Sequence, residues 1–135
     1  MAEAVLNTSA LLTFLRNEPG ADKVAAVLTR ACISAVNLAE AIGKMAEHGK
    51  PLDQVAYQIE RLRIEVIPFD DAQAKIVASL WKAAQDAGVS FGDRACLALA
   101  LQTSLPALFT EREWDLIAER EWVKCGLDVE IVKIR

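Results

Sequence analysis

Short apolar runs alternate with longer amphipathic segments along most of the chain. The apolar runs have the length and β-branched content of buried strands, and the segments between them carry apolar residues at helical spacing. This alternation is typical of a parallel sheet covered by helices. The pattern predicts strands at residues 4–6, 31–33, 64–69, 105–109 and 128–134. It predicts helices at residues 10–16, 21–29, 35–47, 52–63, 70–87, 90–100 and 110–122.

Hydroxyl residues and glycines indicate where several of these helices begin and end. Thr8 and Ser9 are placed to cap the first helix and Ser34 to cap the third, because a hydroxyl there can accept a bond from a free backbone N–H. His48 adjoins Gly49 at a predicted helix end. It is the sole histidine, so the sequence argues against a histidine-based triad and a zinc site. The six glycines are scattered and form no phosphate-binding loop.

Composition limits the chain to one well-packed domain. The length of 135 residues is that of a single domain, which we expect to span residues 1–135. Hydrophobic residues make up 53% of the chain, enough for a buried core, and this excludes disorder for most of it. The net charge of −4 disfavours broad electrostatic binding to nucleic acid. Any nucleic-acid function therefore depends on a local binding site instead of on the overall charge.

Cysteine usage and the amino-terminal segment predict a cellular compartment. Cys32, Cys96 and Cys125 lie far apart without metal-ligand spacing, as expected of core residues in a reducing environment. The first residues lack the basic segment of a signal peptide. No run approaches the roughly 20 apolar residues of a membrane span. We expect a cytoplasmic protein without disulfides or membrane contact.

Polar side chains follow the predicted strands at the point where each strand ends. In open parallel sheets, the loops beyond the carboxyl ends of the strands form the binding sites. Hard oxygen ligands gathered there suit Mg²⁺ or Mn²⁺. The candidates are Asn7, Thr8 and Ser9 after the first strand; Ser34, Asn37 and Glu40 after the second; Asp93 in the buried helix; and Thr110 and Glu111 after the fourth strand.

Each of these acids also has a simpler interpretation. Glu40 lies on a polar helix face that is compatible with solvent exposure. Asp93 follows Ser90 by three residues, which is a capping pattern. Glu111 falls in the first turn of a helix, where the helix dipole favours an acid. Asn7 can serve backbone groups at a strand end. Taken one at a time, none of them requires a metal.

Four segments in order resemble the motifs of a known family, the PIN-domain ribonucleases of the VapC type, which are toxins of bacterial toxin–antitoxin pairs. The resemblance covers nearly the whole chain, and its most specific stretch is GVSFGDRACLALA at 88–100. The other segments are AVLNTSALL at 4–12, ISAVNLAE at 33–40 and PALFTEREW at 106–114, and the closing VEIVKIR is similar to the family's last strand.

The resemblance implies a fold and an activity. The fold is α/β: a three-layer α/β/α PIN-like sandwich with a central, mainly parallel sheet of about five strands. The activity is Mg²⁺- or Mn²⁺-dependent endonucleolytic cleavage of RNA. Glu40 and Asp93 are the principal metal ligands it implies, with Glu111 as an outer ligand and Asn7 as a weakened one. Residues expected to orient these ligands or the substrate are Thr8, Ser9, Ser34, Asn37, Arg94 and Arg112; for the two arginines a salt bridge to a neighbouring acid is an equal alternative.

The main departure from the family pattern is Asn7, which stands where the family has an aspartate. An amide keeps the shape and one carbonyl oxygen, but it loses the charge and turns a donor toward a cation. We therefore expect weakened metal binding and activity with an unchanged fold. Asn7 is either a deliberate inactivation of a toxin, which the intact neighbouring motifs favour, or a natural feature of a degenerate domain. In addition, Phe109 replaces a usual threonine and Glu111 a usual aspartate.

The resemblance also implies partners. It predicts a homodimer and a cognate VapB-type antitoxin that binds as a helix in a hydrophobic groove. Candidate groove residues, which core packing explains equally well, are Leu11, Leu12, Phe14, Leu15, Val24 and Leu28. The rival function is a non-catalytic PIN domain that only binds RNA or an antitoxin. A receiver-like signalling domain is disfavoured, because Asn-Thr-Ser follows the first strand where that class needs an acidic pair.

Overall fold

The computed structural model describes residues 1–82, 85, 88–110 and 129–134. The strands are β1 (Ala4–Leu6), β2 (Ala31–Ser34), β3 (Glu65–Ile67), β4 (Ala107–Phe109) and β5 (Ile131–Lys133). The helices are α1 (Thr8–Leu15), α2 (Ala21–Val27), α3 (Ala35–Glu47), α4 (Leu52–Glu60), α5 (Asp71–Ser79) and α6 (Phe91–Thr103), and a 3₁₀ turn at Leu28–Arg30 precedes β2.

All five strands form one parallel sheet in the order β3-β2-β1-β4-β5. The central strand β1 pairs with β2 through Leu6 and Ile33, and with β4 through Leu6 and Leu108. The chain therefore winds outward from β1 in both directions. The ends of β1, β2 and β4 lie side by side, and the parallel sheet expected from the sequence pattern is confirmed.

Helices cover both faces of the sheet. Successive strand residues point to opposite faces, so Leu6 and Ile33 pack into a core beneath α1, α2, α3 and α4. Val5 and Phe109 pack into a second core beneath α5 and α6. This arrangement gives the three layers of the predicted sandwich. Buried positions run almost without a break along α6, because that helix packs against both the sheet and its neighbours α3 and α5.

The start of α1 differs from the prediction. Asn7, instead of Thr8 or Ser9, is the residue before the helix, and its side chain makes no capping bond there. Thr8 is already helical. The Asn7 side chain instead bonds to Asn37 of α3 and Asp93 of α6, so tertiary contacts replace the capping bond. By contrast, Ser34 and Ser90 cap α3 and α6 by accepting bonds from Val36 N and Asp93 N.

Several other boundaries also differ. The strand predicted at 64–69 covers only Glu65–Ile67 at the sheet edge, and Pro68, which lacks an N–H, follows it. Helix α4 ends at Glu60, and Arg63 adopts a left-handed backbone. The helix predicted at 70–87 is interrupted: α5 ends at Ser79, a turn follows at Leu80, and the described residues 81, 82 and 85 are helical again. Helix α6 runs on to Thr103, past the predicted end at residue 100. The helix predicted at 110–122 lies outside the described residues apart from Thr110.

Most of the residues predicted to line an antitoxin-binding groove are buried in the core. Four of the six candidates are buried core residues, namely Leu11, Leu12, Val24 and Leu28. Their apolar side chains fill the space between α1, α2 and the sheet, so the groove interpretation is wrong for them. Phe14 and Leu15 are only partly buried and remain candidates.

Two further expectations concern cysteines and membranes. Cys32 and Cys96 are buried core residues, as predicted, and Cys125 lies outside the described residues. Among the described helices, none combines the length and the apolar character needed to cross a bilayer.

Candidate active site

The predicted polar residues meet at the carboxyl ends of the central strands. Asn7 directly follows β1, and α3 begins directly after β2, so its first two turns carry Asn37 and Glu40 to the same edge. Asp93 lies in the first turn of α6, which packs against α3 and β1. Three separate segments of the chain therefore contribute to one cluster, as expected.

Asn37 lies at the centre of this cluster and is fully buried. Its amide nitrogen Nδ2 lies 2.9 Å from the Gly92 carbonyl oxygen, 3.1 Å from Thr8 Oγ1, 3.3 Å from Asn7 Oδ1 and 3.4 Å from Glu40 Oε1. An amide NH₂ has only two hydrogens, so it can satisfy two of these four acceptors well at one time. The site therefore holds more oxygen acceptors around Asn37 than Asn37 can serve.

Asn7 links Asn37 to Asp93 through hydrogen bonds. The Asn7 side chain is 1% exposed, and its Nδ2 donates to Asp93 Oδ1 at 3.1 Å and to Ser9 Oγ at 3.3 Å. Its Oδ1 accepts from Asn37, so both ends of the amide are used. A bond from an uncharged donor to a carboxylate stabilises the charged form without neutralising it. Asn7 therefore fits this site as a donor to Asp93.

Glu40 is held against the other side of the cluster. Thr8 Oγ1 donates to Glu40 Oε1 at 3.0 Å, and Thr8 Oγ1 also lies 3.2 Å from the backbone carbonyl oxygen of Asn37. The Glu40 carboxylate packs against Gly92, where a Cβ atom would lie 2.6 Å from Glu40 Cδ. Glu40 is therefore positioned by a hydroxyl on one side and by the missing side chain of a glycine on the other.

The other predicted site residues are only partly brought together. Ser9 Oγ accepts from Asn7 and, at 3.4 Å, from the Thr110 backbone N–H, which ties the end of β4 to the cluster. The Ser34 hydroxyl is fully buried and caps α3. Arg94 forms no salt bridge with any residue in the described ranges, and its guanidinium lies against Phe91. Glu111 and Arg112 lie outside the described residues.

The chemistry of the cluster partly fits a divalent metal ion. Two carboxylates and several neutral oxygens form a hard donor set of the kind that Mg²⁺ and Mn²⁺ prefer. The described residues contain no group of three or more His, Cys, Asp or Glu side chains suited to a metal. One reason is that position 7 is an amide whose NH₂ points at Asp93. Glu40 and Asp93 thus fit such an ion, and Asn7 as oriented does not.

Sequence reasoning missed the part played by Gly92. This glycine immediately precedes Asp93 in the first turn of α6 and was not among the candidates. Its carbonyl accepts from Asn37, and its lack of a side chain makes room for Glu40. A glycine inside a helix costs roughly 1 kcal/mol relative to alanine. A glycine next to a candidate acid within a predicted helix was therefore the available signal.

Fold and site together define a three-layer α/β protein with an oxygen-rich, acidic cluster at the carboxyl ends of its central strands. The chain belongs to the PIN domain family, whose model matches residues 4–120. A search of curated protein sequences gives no match. The predicted family is thereby confirmed.

Solved structures with a similar fold include chains from VapBC and toxin–antitoxin complexes. The chain is similar to one from DNA-bound VapBC of Salmonella typhimurium, with 20% identity, full coverage of both chains and a TM-score of 0.69. It is also similar to one from a Klebsiella pneumoniae toxin–antitoxin complex, with 16% identity, 98% coverage of both chains and a TM-score of 0.70. A chain of FitAcB from Neisseria gonorrhoeae shares 21% identity over 97% of both chains, with a TM-score of 0.66.

Proposed function

We propose that this chain is the VapC-type toxin of a type II toxin–antitoxin pair, with an endoribonuclease site at Glu40 and Asp93 that Asn7 weakens or silences. The whole chain, residues 1–135, acts as a single PIN domain in this proposal. The proposed cofactor is Mg²⁺ or Mn²⁺. The proposed reaction is hydrolysis of RNA phosphodiester bonds.

One observation carries the proposal: Asn7, Asn37, Glu40 and Asp93 converge from three segments that resemble PIN motifs. The oxygen atoms around Asn37 outnumber the hydrogens that it can donate. Such a surplus of acceptors, one of them the Glu40 carboxylate, favours a cation over a purely structural network. The similarity of the fold to chains from VapBC and FitAB complexes supports the toxin class.

The roles of the residues follow from their contacts. Glu40 and Asp93 would hold the cation, and Thr8 and Asn37 orient Glu40 by donating to its carboxylate. When bound, the cation supplies a bound water of lowered pKa and positive charge beside the phosphate. Glu111 is proposed to contribute from the segment after β4, and Arg112 to contact phosphate. Asn7 lacks the charge of an aspartate and donates to Asp93, so it competes with the cation for that carboxylate.

The decisive experiment is to restore the acid. We expect Asn7→Asp to cleave RNA with Mg²⁺ or Mn²⁺ at least about 100-fold faster than the parent chain, because an added carboxylate strengthens cation binding. The double variant Asn7→Asp with Asp93→Asn is the matched control, since it has the same net charge as the parent and should be inactive. Chelation should abolish the gain. An inert Asn7→Asp variant that folds and binds Mn²⁺ would contradict the nuclease proposal.

A second candidate function is a non-catalytic PIN domain that binds RNA or an antitoxin. The observation that favours it is the full engagement of the Asn7 amide, which donates to Asp93 and accepts from Asn37. In that case Asn7→Asp remains inactive and the parent chain still binds its partner. The same cleavage assay therefore separates the two functions.

The proposed macromolecular partners are a VapB-type antitoxin, an RNA substrate and a second copy of the chain, and the proposed compartment is the cytoplasm. The similar structures named above include complexes of toxins with antitoxins. The burial of Cys32 and Cys96 in the core agrees with a reducing compartment. Light scattering of the purified chain tests the homodimer: a monomer at micromolar concentration would contradict it.

A further inference from the structure

Two phenylalanine rings and a guanidinium group lie together at the same sheet edge as the acidic cluster. Phe69 follows β3 and Phe91 begins α6; their ring centroids are 5.6 Å apart and their planes differ by 16°. The guanidinium carbon of Arg94 lies 5.9 Å from the Phe91 ring centroid. We call these three side chains the aromatic platform. Gly92 and Asp93 lie between Phe91 and Arg94 in the sequence, so the platform shares the first turn of α6 with one acid of the proposed cleavage site.

Phe91 is unusually open to solvent for its residue type. It is 50% exposed, whereas Phe109 is fully buried and Phe14 and Phe69 are partly buried. Leaving an aromatic ring in water forgoes the free energy of burial, and the residues that follow on α6 are largely buried. Phe91 remains half exposed although it stacks on Phe69, and exposed aromatic surface is where nucleobases stack. Packing within the described fold does not account for this exposure.

Arg94 supplies a second indication that a ligand belongs here. Its Nε atom is buried and has no hydrogen-bond partner among the residues that the structure describes. A buried N–H without a partner costs free energy, so such groups call for an explanation. A guanidinium beside an aromatic ring is a recurrent element of single-strand binding, where it serves the phosphate or stacks on a base. Arg94 also offsets the repulsion between phosphate and the nearby acids.

We propose that the aromatic platform binds a nucleobase of single-stranded RNA, next to the nucleotide whose phosphate lies at Glu40 and Asp93. This inference rests on the proposed function, and it adds the recognition element that a chain of net charge −4 needs. A protein interface of ordinary size buries about 800 Å² on each partner. A pair of rings offers far less surface than that and matches a single base.

Binding of a short oligoribonucleotide tests the platform directly. The probe is a fluorescein-labelled, unstructured 12-nucleotide RNA, and the protein is the full chain with Asn7 retained, which limits cleavage during the measurement. We expect Phe91→Leu to weaken binding about 10-fold in fluorescence anisotropy, since stacking on an aromatic residue supplies affinity for each base. Phe91→Tyr should bind within about twofold of the parent, because it keeps the aromatic face.

The matched control is Tyr57→Leu. Tyr57 is a 63% exposed aromatic residue on α4, so its replacement removes a similar exposed ring from another helix. We expect it to leave RNA affinity unchanged. Thermal unfolding of all three variants checks that each one is folded, and Phe91→Met provides a second non-aromatic variant if Phe91→Leu is not.

Probes that lack one base distinguish stacking from a general loss of affinity. A single abasic nucleotide is moved along the probe. At the position whose base lies on the platform, it should weaken binding to the parent about 10-fold and have no further effect on Phe91→Leu. Equal RNA affinity of Phe91→Leu and the parent would overturn the platform while leaving the cleavage test of Asn7→Asp unaffected. A loss of antitoxin binding with unchanged RNA binding would also overturn it, since the rings would then serve a protein partner. If the parent binds no RNA and Asn7→Asp cleaves none, the proposed function fails as well.

Discussion

Two fully buried amides lie on opposite sides of the sheet, and they differ in what surrounds them. Asn37 of α3 lies near four acceptors, including a carboxylate. Gln73 of α5 donates to the Pro68 carbonyl and to the exposed Gln102, and both of these partners are neutral. Each amide has a buried carbonyl oxygen without a partner among the described residues.

The comparison shows that a buried polar side chain does not by itself indicate a functional site. Gln73 joins a loop to a helix and has a structural role. Asn37 lies in a cluster of polar and acidic side chains that converge from three segments, at the edge where a parallel sheet gathers its loops. Charge and position in the fold, not burial, distinguish the two regions.

The largest expected effect comes from replacing each amide with an apolar residue of similar size. Asn37→Leu should lower the free energy of unfolding by about 3 kcal/mol, because buried acceptors, one of them charged, lose their donor. Gln73→Met should lower the free energy of unfolding by about 1 kcal/mol or less. This change also removes an unpaired oxygen, and the exposed Gln102 side chain can form its hydrogen bond with water instead. Urea unfolding measures both. Equal losses would contradict the distinction between the regions.

The second prediction changes the charge of the cluster. Asn7→Asp should lower the free energy of unfolding by about 2 kcal/mol in a chelator, because the bond from Asn7 to Asp93 is replaced by two facing carboxylates. Millimolar Mn²⁺ should restore the loss. Asn17→Asp adds the same charge at an exposed position and should show no response to Mn²⁺. An Asn7→Asp variant equally insensitive to Mn²⁺ would show that the cluster is not a cation site.

The third prediction concerns an ionisable group that is buried without forming a site, on the Gln73 side of the sheet. Burial, and secondarily the charge of Glu65, raises the pKa of the Cys32 thiol to about 11. The folded protein therefore disfavours the thiolate. The contribution of the protonated Cys32 thiol to the free energy of unfolding is fully present below pH 9 and is lost as the pH rises toward 11.

Urea unfolding at pH 8 and pH 10 measures this effect. The parent should lose about 1 kcal/mol more than Cys32→Ala over that range. Glu65→Gln should show a smaller loss than the parent, because it removes the secondary cause of the shift. Identical pH profiles for the parent and Cys32→Ala would refute the prediction.

The smallest expected effect distinguishes two helical glycines. Gly43→Ala on α3 has open space for its Cβ and should stabilise the chain by about 0.5–1 kcal/mol through helix propensity. Gly92→Ala should lack this gain, because its Cβ displaces the Glu40 carboxylate. Combined with Asn7→Asp, Gly92→Ala should also reduce RNA cleavage about 10-fold, whereas Gly43→Ala should not. Equal behaviour of the two alanine variants would show that Glu40 has no fixed position.

Local sequence determined the elements and the edge at which the site lies. The caps at Ser34 and Ser90 were predictable, because a hydroxyl bonds a backbone N–H only two or three residues away. The alternation along Leu6 and Ile33 placed the strands, and the parallel pattern placed Glu40 and Asp93 at one edge. These predictions succeeded because they depend on short separations and on a repeating period.

Tertiary structure decided which atoms meet. The bond from Asn7 to Asp93 spans 86 residues, and the bond from Asn37 to Gly92 spans 55. The fit of Glu40 against Gly92 and the stacking of Phe69 on Phe91 depend on how α6 packs against its neighbours. Helix packing angles are set by the side chains of several elements together, so no local pattern specifies these contacts. The sequence by itself therefore determined the family and the acids, and only the fold decided that Asn7 donates to Asp93.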